Sequence, residues 1–500
     1  MNQNIPRSLT ASVLRGLAYI GGQTIVGKLV AAASQYVLSW LLLPADFGLV
    51  GLAYTVSSLS GVIMQIGLRE FIIRRQRSNL WIEPALWAAL SLSALSAVLM
   101  CAFAHLAASI YHEPRVAGLV LILALAQPFS ALNVVMSAVL QKRFQFATLA
   151  KIGIFTTCLN AALSVTFAKV GLGAYSFVAP VSLVGALQLA LLWRLCGYRM
   201  KWRPRPRFWR YFAPTGAYVF ATGVLMALGS QGDYMLLGLF HSASEVGIYF
   251  FAFNFSAQIN TFLWVGFANV LFPMMSSIQD DAHRLAQAFR KTVGTIAILV
   301  VPLCVLQAAL AGPLIRLLFS EKWVPAIPLI QLMNIGIGLH TMAEPCVPLL
   351  QAQGRFRDLL KYTLTWNVLL LPCIYLASKY GNGLRVASVV AGFYALGSPI
   401  YFFFVIRKLE GRIRDVVAIY APSACASLLS GAVAIWACSA LGLGPAQSLP
   451  VTIAVFVVCY LVLISVLAPA MLRDAMNVLA SQLRKRSAAL PLETPTQGSR

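Results

Sequence analysis

Long apolar runs, separated by short polar stretches, follow one another along the chain from about residue 17 onwards. Each run is close to 20 residues or longer, which is the length that a helix needs to cross roughly 30 Å of membrane hydrocarbon. The strands of a transmembrane barrel would instead alternate over about 10 residues. The predicted spans are residues 17–42, 47–68, 84–110, 117–140, 146–168, 172–195, 211–240, 245–271, 292–318, 325–352, 360–379, 385–407, 416–441 and 449–470. The pattern therefore predicts an all-α polytopic membrane protein with about 14 transmembrane helices.

The composition agrees with this prediction, since 59% of the 500 residues are apolar and only 11% are charged. Soluble globular proteins average roughly 45–50% apolar and about 25% charged residues, which excludes a soluble enzyme and a disordered chain. The 9 cysteines are scattered through the apolar runs without a CxxC pair or a metal-ligand spacing. We therefore expect them to be packing residues, and we expect no metal and no cofactor.

The basic residues alternate between the two sides of the predicted membrane. The odd-numbered gaps between spans hold only Arg115, Lys169, Lys322, Lys379 and Arg385, whereas most of the 38 Lys+Arg residues lie in the even-numbered gaps and the termini. By the positive-inside rule both termini are predicted to be cytoplasmic. The net charge of +23 then indicates topology and contact with anionic membrane lipids, so no nucleic-acid partner is expected.

A short motif recurs in the two halves of the chain. Residues 43–49 (LPADFGL) match residues 242–248 (SASEVGI), and both segments fall at the turn of the first predicted helical hairpin of their half. An acidic residue at a helix N-terminus is stabilised there by the positive end of the helix dipole. A second match, Arg143-Phe144 with Arg355-Phe356, follows the fourth span of each half. Chance similarity between apolar helices is the alternative explanation.

The repeat gives each half six spans in the same orientation, which predicts two parallel six-helix lobes around a central cavity. Residues 276–291 and 471–486 place apolar residues at helical spacing among charges, so amphipathic helices at the membrane interface are predicted there. The predicted regions are an N-terminal lobe at 1–210, a C-terminal lobe at 211–407, two extra helices and an interfacial helix at 408–486, and a disordered tail at 487–500.

No motif in the chain predicts an enzyme. The G-x4-G-K sequence at residues 22–28 is close to a phosphate-binding loop, but Leu29 follows where Ser or Thr is needed and no strand precedes it. The Asp280-Asp281 pair could suggest a glycosyltransferase metal site, yet it lies on a short amphipathic segment without a nucleotide-binding domain. The predicted outer loops are also too short for a polymerase or ligase. A transporter is therefore expected.

A few ionisable residues fall inside the predicted spans, where a charge is costly unless it lines a cavity or is paired. Lys28 lies near the middle of span 1, and Asp233 lies in span 7. His340 and Glu344 in span 10 are four residues apart and therefore share one helix face. Arg316, near the end of span 9, is expected to snorkel to the interface. For Lys28, Asp233, His340 and Glu344, the sequence leaves two roles open, which are lining of a cavity and pairing with another side chain.

The predicted substrate cavity consists of Lys28, Asp233, His340, Glu344, Arg69, Gln65 and Gln231. Other polar side chains inside the spans either bind sugar hydroxyls or join neighbouring helices. These are Gln23, Gln35, Asn160, Gln188, Gln258 and Asn260.

The sign of the charge in such a cavity indicates the class of substrate. A cation at the midplane, Lys28, suits an anionic lipid head group that crosses the membrane. An acidic cavity built on Asp233 and Glu344 would instead suit a cationic drug. The alternative to a lipid transporter is therefore a small-molecule antiporter of the multidrug type.

Several short motifs occur in a fixed order between about residue 11 and residue 362. They are residues 43–49, Gly67-Leu68, residues 72–76 (IIRRQ), 232–238 (GDYMLLG), 271–273 (LFP), 279–281 (QDD), Lys322-Trp323 with Pro325, and 352–355 (AQGR). In these motifs the sequence resembles the Wzx-type polysaccharide flippases of the multidrug/oligosaccharidyl-lipid/polysaccharide exporter superfamily.

The resemblance implies a flippase of the bacterial cell inner membrane. Its substrate would be an undecaprenyl-diphosphate-linked oligosaccharide repeat unit for exopolysaccharide, capsule or O-antigen synthesis, moved by alternating access to the outer leaflet. Related flippases of peptidoglycan precursors carry a basic residue on span 8, which this sequence lacks. Either Lys28 acts with Arg69 at the cytoplasmic mouth, or the pyrophosphate is held differently. A monomer, a proton or sodium coupling ion and contact with polymerase machinery are further expectations.

Overall fold

The structure, a computed structural model, describes residues 7–64, 72, 79–198, 213–278, 281–409, 411–474 and 476. These residues form α-helices joined by short turns, and no strand occurs within the described ranges. The prediction of an all-α membrane protein is confirmed.

The helices coincide with the apolar runs because lipid offers no hydrogen bonds, and a helix pairs nearly all its backbone groups internally. They are α1 (Arg7–Leu41), α2 (Pro44–Gly61), α3 (Asn79–Ile110), α4 (Arg115–Lys142), α5 (Phe146–Lys169), α6 (Tyr175–Cys196), α7 (Ala213–Phe240), α8 (Ala243–Ser277), α9 (Ala282–Leu318), α10 (Ala326–Thr341), α11 (Cys346–Ala352), α12 (Phe356–Tyr380), α13 (Gly383–Arg407), α14 (Ile413–Ala440) and α15 (Pro445–Leu467). Short 3-10 turns cover Val62–Met64 and Glu321–Trp323.

The described part of every predicted span lies mainly on one of these helices, except that α10 and α11 share the tenth span. Within the described residues, 12 helical segments are long and apolar enough to cross a membrane. Residues 276–291 do not form a helix of their own. Instead α8 ends at Ser277, and Ala282 begins the 37-residue helix α9, which continues into the ninth span.

The described chain divides into two compact units. The first unit comprises the described parts of residues 1–258, 314–333 and 355–390. The second unit comprises those of 259–313, 334–354 and 391–500. The predicted boundaries at residues 210 and 407 follow the sequence repeat, and they remain a prediction.

The first unit has an apolar core between α3, α4 and α6. Leu86 of α3, Val135 and Met136 of α4 and Leu192 of α6 are fully buried in it. A second cluster is aromatic, and in it the ring of Trp323 lies 4.9 Å from Phe47 and 4.1 Å from Phe251. The indole Nε1 of Trp323 also donates a hydrogen bond of 2.9 Å to the carbonyl oxygen of Ser39. This cluster therefore joins the C-terminal end of α1 to α2 and α8.

The two copies of the repeated motif contact each other in the first unit. A Cβ atom on Gly48 would overlap the carbonyl oxygen of Ala243, and a Cβ atom on Gly247 would overlap the carbonyl oxygen of Pro44. Gly48 and Gly247 occupy equivalent positions of the motif, as do Pro44 and Ala243. The contact is therefore reciprocal, and only glycine allows the first turns of α2 and α8 to approach so closely.

The acidic residues of the motif also make equivalent contacts. An oxygen of Asp46 lies 3.0 Å from where a Cβ atom of Gly173 would stand, and Gly173 has a φ of +54°. Glu245 accepts a hydrogen bond of 2.6 Å from the backbone nitrogen of Gly383. Both glycines end a G-x-G turn, at residues 171–173 and 381–383. The similarity of the two halves thus extends to the contacts that the motif makes with Gly173 and Gly383, two residues outside the motif itself.

In the second unit, α14 and α15 are tied to α9 by hydrogen bonds from buried hydroxyl groups. Ser423 donates a bond of 2.5 Å to the carbonyl oxygen of Ala297, and Tyr460 donates one of 2.9 Å to that of Ile298. Both acceptors lie within a transmembrane helix, where water is not available to pair the donors. These bonds fix the two C-terminal helices on α9.

Candidate functional site

A cavity of about 250 Å³ lies in the first unit between α1, α2, α5, α6 and α8. No charged side chain is among the residues that line it. Its polar lining residues are Ser34, Gln35, Tyr54, Thr157, Asn160, Ser164 and Asn254. The remaining walls are formed by alanine, valine, leucine and phenylalanine side chains. A cavity of this kind offers hydroxyl and amide groups for hydrogen bonds and has no fixed charge of its own.

Helical spacing places these side chains on the cavity wall. The lining residues of α1 are Ala31, Ser34, Gln35 and Leu38, and those of α5 are Thr157, Asn160, Ala161 and Ser164. Both sets follow the i, i+3, i+4, i+7 spacing of one helix face. Nearer to the N-terminus of each helix than the lining residues, α1 and α5 approach closely, because Gly153 leaves room for the side chain of Gln23.

The polar side chains of the cavity differ in how far they are already hydrogen-bonded. Gln35 accepts a bond of 2.7 Å from the side chain of Gln258, and Thr157 donates one of 2.8 Å to the carbonyl oxygen of Gly153. Within the described part of the chain, no hydrogen bond of the Ser34 hydroxyl or the Asn160 amide is found. Ser34 and Asn160 are therefore lining residues whose polar groups are available to bind a ligand.

Lys28 lies on the same face of α1 as the cavity, three residues before Ala31 and seven before Gln35. Its side chain is partly buried. Among the described residues it forms no ion pair and no side-chain hydrogen bond. A transmembrane cation without a partner is costly, so it is typically retained because it has a function.

Asp233 does not line this cavity. Its carboxylate is buried on α7, where it accepts a hydrogen bond of 2.8 Å from the hydroxyl group of Tyr249 on α8 and one of 2.9 Å from the backbone nitrogen of Tyr234. This is the geometry expected of a structural hydrogen bond between two helices. Gln231, two residues earlier on α7, is partly buried and also lies outside the cavity lining.

His340 and Glu344 lie in the second unit, and the structure does not pair them. The expectation that they share a helix face fails because α10 ends at Thr341 and residues 342–345 form turns. Pro345 lacks the N–H that would continue the helix ladder there. His340 Nδ1 lies 2.8 Å from the hydroxyl oxygen of Ser398, and its ring stacks on Tyr394 at 4.5 Å.

The carboxylate of Glu344 belongs instead to a polar cluster with Asn260 and Thr341. Asn260 donates a hydrogen bond of 3.1 Å to Oε1 of Glu344 and accepts one of 2.9 Å from Thr341. The other carboxylate oxygen, Oε2, is buried without a hydrogen-bond partner among the described residues. The break between α10 and α11 thus places an acidic group in the interior of the second unit.

The remaining predicted site residues, Gln65 and Arg69, lie outside the described residues. Arg316 is exposed near the end of α9, as expected of a snorkelling side chain. Gln35 and Asn160 were predicted from the sequence as polar residues of the spans, whereas the small polar residues Ser34 and Ser164 beside them were not. The helical spacing of small polar residues in spans 1 and 5 was the signal that could have identified them.

A family model described as "Polysaccharide biosynthesis protein" matches residues 37–328, which is more than half of the chain. The chain belongs to this polysaccharide biosynthesis family. The matched region includes the cavity walls formed by α2, α5, α6 and α8, and the family resemblance seen in the short motifs is confirmed. The expectation of a transporter rather than an enzyme agrees with the transport proteins found among the relatives of the chain.

Two relatives show how far the similarity extends. The succinoglycan biosynthesis transport protein ExoT of Rhizobium meliloti is 24% identical over 328 residues, which is 64% of this chain and 65% of ExoT. The lipopolysaccharide biosynthesis protein WzxC of Escherichia coli is 24% identical over 412 residues, which is 81% of this chain and 83% of WzxC. The chain thus spans slightly less than two thirds of the length of ExoT in that match, and more of WzxC.

The fold is also that of a solved membrane protein. The lipid II flippase MurJ in its inward closed conformation superposes with a TM-score of 0.67 at 11% sequence identity. The superposition covers 90% of this chain and 98% of MurJ. At this identity the likeness establishes the fold, and the chain is therefore a multi-pass membrane protein with a MurJ-like fold.

Proposed function

We propose that the protein is a flippase that moves a lipid-linked oligosaccharide across the membrane by alternating access. The observation that carries this proposal is the cavity of the first unit, which combines neutral hydrogen-bonding walls with an unpaired cation, Lys28, on the same helix face. Sugars are neutral and rich in hydroxyl groups, whereas the pyrophosphate that links them to a lipid is anionic. The cavity and the cation beside it together suit both parts of such a substrate. The names of ExoT and WzxC support the same assignment.

The substrate that we propose is an undecaprenyl-diphosphate-linked oligosaccharide repeat unit. Ser34 and Asn160 would bind sugar hydroxyl groups, and Lys28 would lie against the pyrophosphate. Drug-sized ligands occupy pockets of roughly 300–1,000 Å³. Because the cavity holds only about 250 Å³, it must widen before an oligosaccharide enters. That requirement supports a cycle in which the helices around the cavity move apart and close again.

The direction of transport and the partners belong to the same proposal. We propose that the protein lies in the bacterial cell inner membrane with both termini cytoplasmic, acts as a monomer and delivers the repeat unit from the cytoplasmic to the outer leaflet. The distribution of basic residues between the loops supports this orientation. A proton or sodium ion would drive the cycle, and the polymerase machinery would take up the product on the outer side.

The first test is a lipid analysis of a strain that lacks the protein. Polyprenyl-linked sugars are extracted and analysed by mass spectrometry, together with the leaflet in which they reside. We expect complete repeat units to accumulate on the cytoplasmic side. Truncated units would indicate a transferase, and complete units on the outer side a polymerase or ligase. An unchanged lipid profile would contradict the flippase and favour the multidrug-type antiporter.

The second test addresses the cation in the same strain. We expect Lys28→Ala to lower the flipping rate about tenfold, since a charge-assisted hydrogen bond contributes roughly 1.5–3 kcal/mol. Lys151→Ala is the matched control, because Lys151 is an exposed lysine of α5 that lies away from the helix face carrying the lining residues, whereas Lys28 is partly buried on the lining face of α1. Unchanged transport by the Lys28 variant would remove the role of Lys28 and leave the family assignment intact.

A further inference from the structure

A second cavity, of about 430 Å³, lies in the second unit where α13 ends and α14 begins. We call it the arginine cavity, because three of its lining residues are arginines. It is lined by Phe403, Arg407, Gly411, Arg412, Ile413 and Arg414. No acidic side chain is among these lining residues. The cavity is therefore strongly cationic, and it is open to the surroundings at the end of two transmembrane helices.

The positive charge of the arginine cavity is not neutralised by ion pairs within the described chain. None of its three arginines takes part in the described ion pairs. The neighbouring carboxylate, Asp415, is engaged elsewhere: its Oδ2 lies 3.2 Å from the guanidinium group of Arg290 and accepts a bond of 2.7 Å from the backbone nitrogen of Arg412. Glu410, in the same loop, lies outside the described residues.

The backbone adds to the field of the guanidinium groups. Ile413 and Arg414 are the first two residues of α14, a helix of 28 residues. The N–H groups of a first helical turn lack partners within the helix, and the helix dipole is positive at that end. Guanidinium groups bind phosphate oxygens in a bidentate manner, and three of them converge on one cavity here. The chemistry that this arrangement recognises is that of a phosphate group.

The arginine cavity also has an apolar side, which indicates a lipid rather than a free anion. Phe403 and Ile413 belong to its lining, and Ile413 is 55% exposed. Val417, one turn further along α14, is 56% exposed, and Phe404 of α13 is 58% exposed. An exposed apolar track thus begins at the cavity and follows the two helices into the membrane-spanning region.

We propose that the arginine cavity binds the phosphate of an anionic lipid head group, with the acyl or isoprenoid chain lying along α13 and α14. Basic pockets between transmembrane helices bind anionic head groups in this manner. The lipid is either a phospholipid of the bilayer or an isoprenoid diphosphate, which share the phosphate chemistry. The site is separate from the cavity of the first unit, and the proposal does not depend on the flippase function.

The test uses native mass spectrometry of the purified full-length protein in detergent. It compares retention of phosphatidylglycerol, phosphatidylcholine, undecaprenyl diphosphate and inorganic phosphate. We expect retention of phosphatidylglycerol or undecaprenyl diphosphate at least tenfold above that of phosphatidylcholine, and no retention of inorganic phosphate. The variant R407Q/R412Q/R414Q should lose that preference. The control K151Q/R194Q/R357Q removes three exposed cations at other helix ends and should keep it within twofold.

Each outcome decides the proposal. Preference for phosphatidylglycerol identifies a bilayer lipid, and preference for undecaprenyl diphosphate identifies the isoprenoid lipid. If both triple variants lose the lipid preference equally, the preference depends only on the net charge of the protein, and the proposed site is wrong. Retention of inorganic phosphate at the same level as the lipids would also contradict the proposed site. If the glutamine variant does not fold, R407K/R412K/R414K keeps the charge but removes bidentate binding, and it should lower lipid retention severalfold. An undiminished preference in that variant would contradict the guanidinium geometry.

The lipid-retention tests and the flipping measurements are independent of each other. A negative result for the arginine cavity would therefore not contradict the proposed flippase function.

Discussion

Asp233 shows how an ionisable residue inside a membrane helix is accommodated by one neighbour. Its carboxylate was predicted from its position alone to be either functional or structural. The decisive partner, Tyr249, lies 16 residues further along the chain on the next helix, so its approach to 2.8 Å was not visible in the sequence. The same holds for the cavity: Gln35 and Asn160 were recognisable as polar residues in spans, but their convergence on one cavity depends on helix packing.

The hydrogen bond between Asp233 and Tyr249 gives a test of the structural role. We expect Tyr249→Phe to lower the free energy of unfolding by about 1–3 kcal/mol, because one oxygen of a buried carboxylate loses its partner. Asp233→Asn keeps an acceptor for Tyr249 and should retain transport. Thermal unfolding of the purified variants and a flipping assay measure the two quantities. A stable Asp233→Asn protein that no longer transports would instead indicate that the charge is functional.

The uncommitted amide of Asn160 gives a test of the cavity. We expect Asn160→Ala to lower the flipping rate about two- to tenfold, since one hydrogen bond contributes roughly 0.5–1.5 kcal/mol. Cys158→Ala is the matched control on the same helix, because Cys158 is exposed and is not a lining residue. Equal rates for the two variants would show that Asn160 does not contact the substrate.

At the scale of helices, the repeated motif has a physical explanation that its sequence alone did not provide. The motif was predicted to start a helix in each half, and it does. The structure adds that the first turns of α2 and α8 touch each other through Gly48 and Gly247. Only a reciprocal contact explains why glycine is needed at the same position of both copies. Sequence patterns describe each helix separately and so do not reveal this contact.

Substitution of these glycines tests the contact between the two helices. We expect Gly48→Ala and Gly247→Ala each to lower stability by about 1–3 kcal/mol, because the added methyl group meets a backbone carbonyl oxygen that has little room to move. Gly312→Ala is the control within a helix, since a Cβ atom there meets no atom within 4 Å. The apparent melting temperature in one detergent is the measurement. A loss confined to one of the two motif glycines would contradict the reciprocal contact.

Lys322 tests how α1 is held at its C-terminal end. Its amino group donates hydrogen bonds of 2.7 Å and 3.1 Å to the carbonyl oxygens of Leu42 and Trp40, which have no partner within the helix. We expect Lys322→Met to lower stability by about 1–2 kcal/mol through loss of these bonds. Lys169→Met removes an exposed lysine at the end of α5 and should change the melting temperature little. Equal effects of the two substitutions would show that the cap contributes nothing.

At the scale of the whole molecule, the spans could be predicted because the requirement for about 20 apolar residues acts locally on each helix. The break between α10 and α11 was missed, although Pro345 marks it, because the tenth apolar run continues across it. The substrate cavity predicted from the sequence contains charged residues, and it remains a prediction; the cavity found in the first unit is a different set of residues. The lining of the cavity in the first unit is neutral, and the cation Lys28 lies on the same helix face beyond it. Hydropathy therefore determines which segments cross the membrane, and helix packing determines which of their polar groups meet.

The neutral cavity and the single cation Lys28 beside it lead to a prediction about the membrane potential. A pyrophosphate-linked substrate carries more negative charge than Lys28 neutralises, so outward movement transfers net negative charge. An inside-negative potential favours such movement by about 2.3 kcal/mol per charge per 100 mV. In proteoliposomes, we therefore expect the outer-leaflet fraction of the lipid to rise when a potassium diffusion potential makes the interior negative. The fraction should fall when the potential makes the interior positive. Liposomes without protein control for passive movement. If the distribution of the lipid between the leaflets does not change with the potential, cations cross together with the substrate and the cycle is electroneutral.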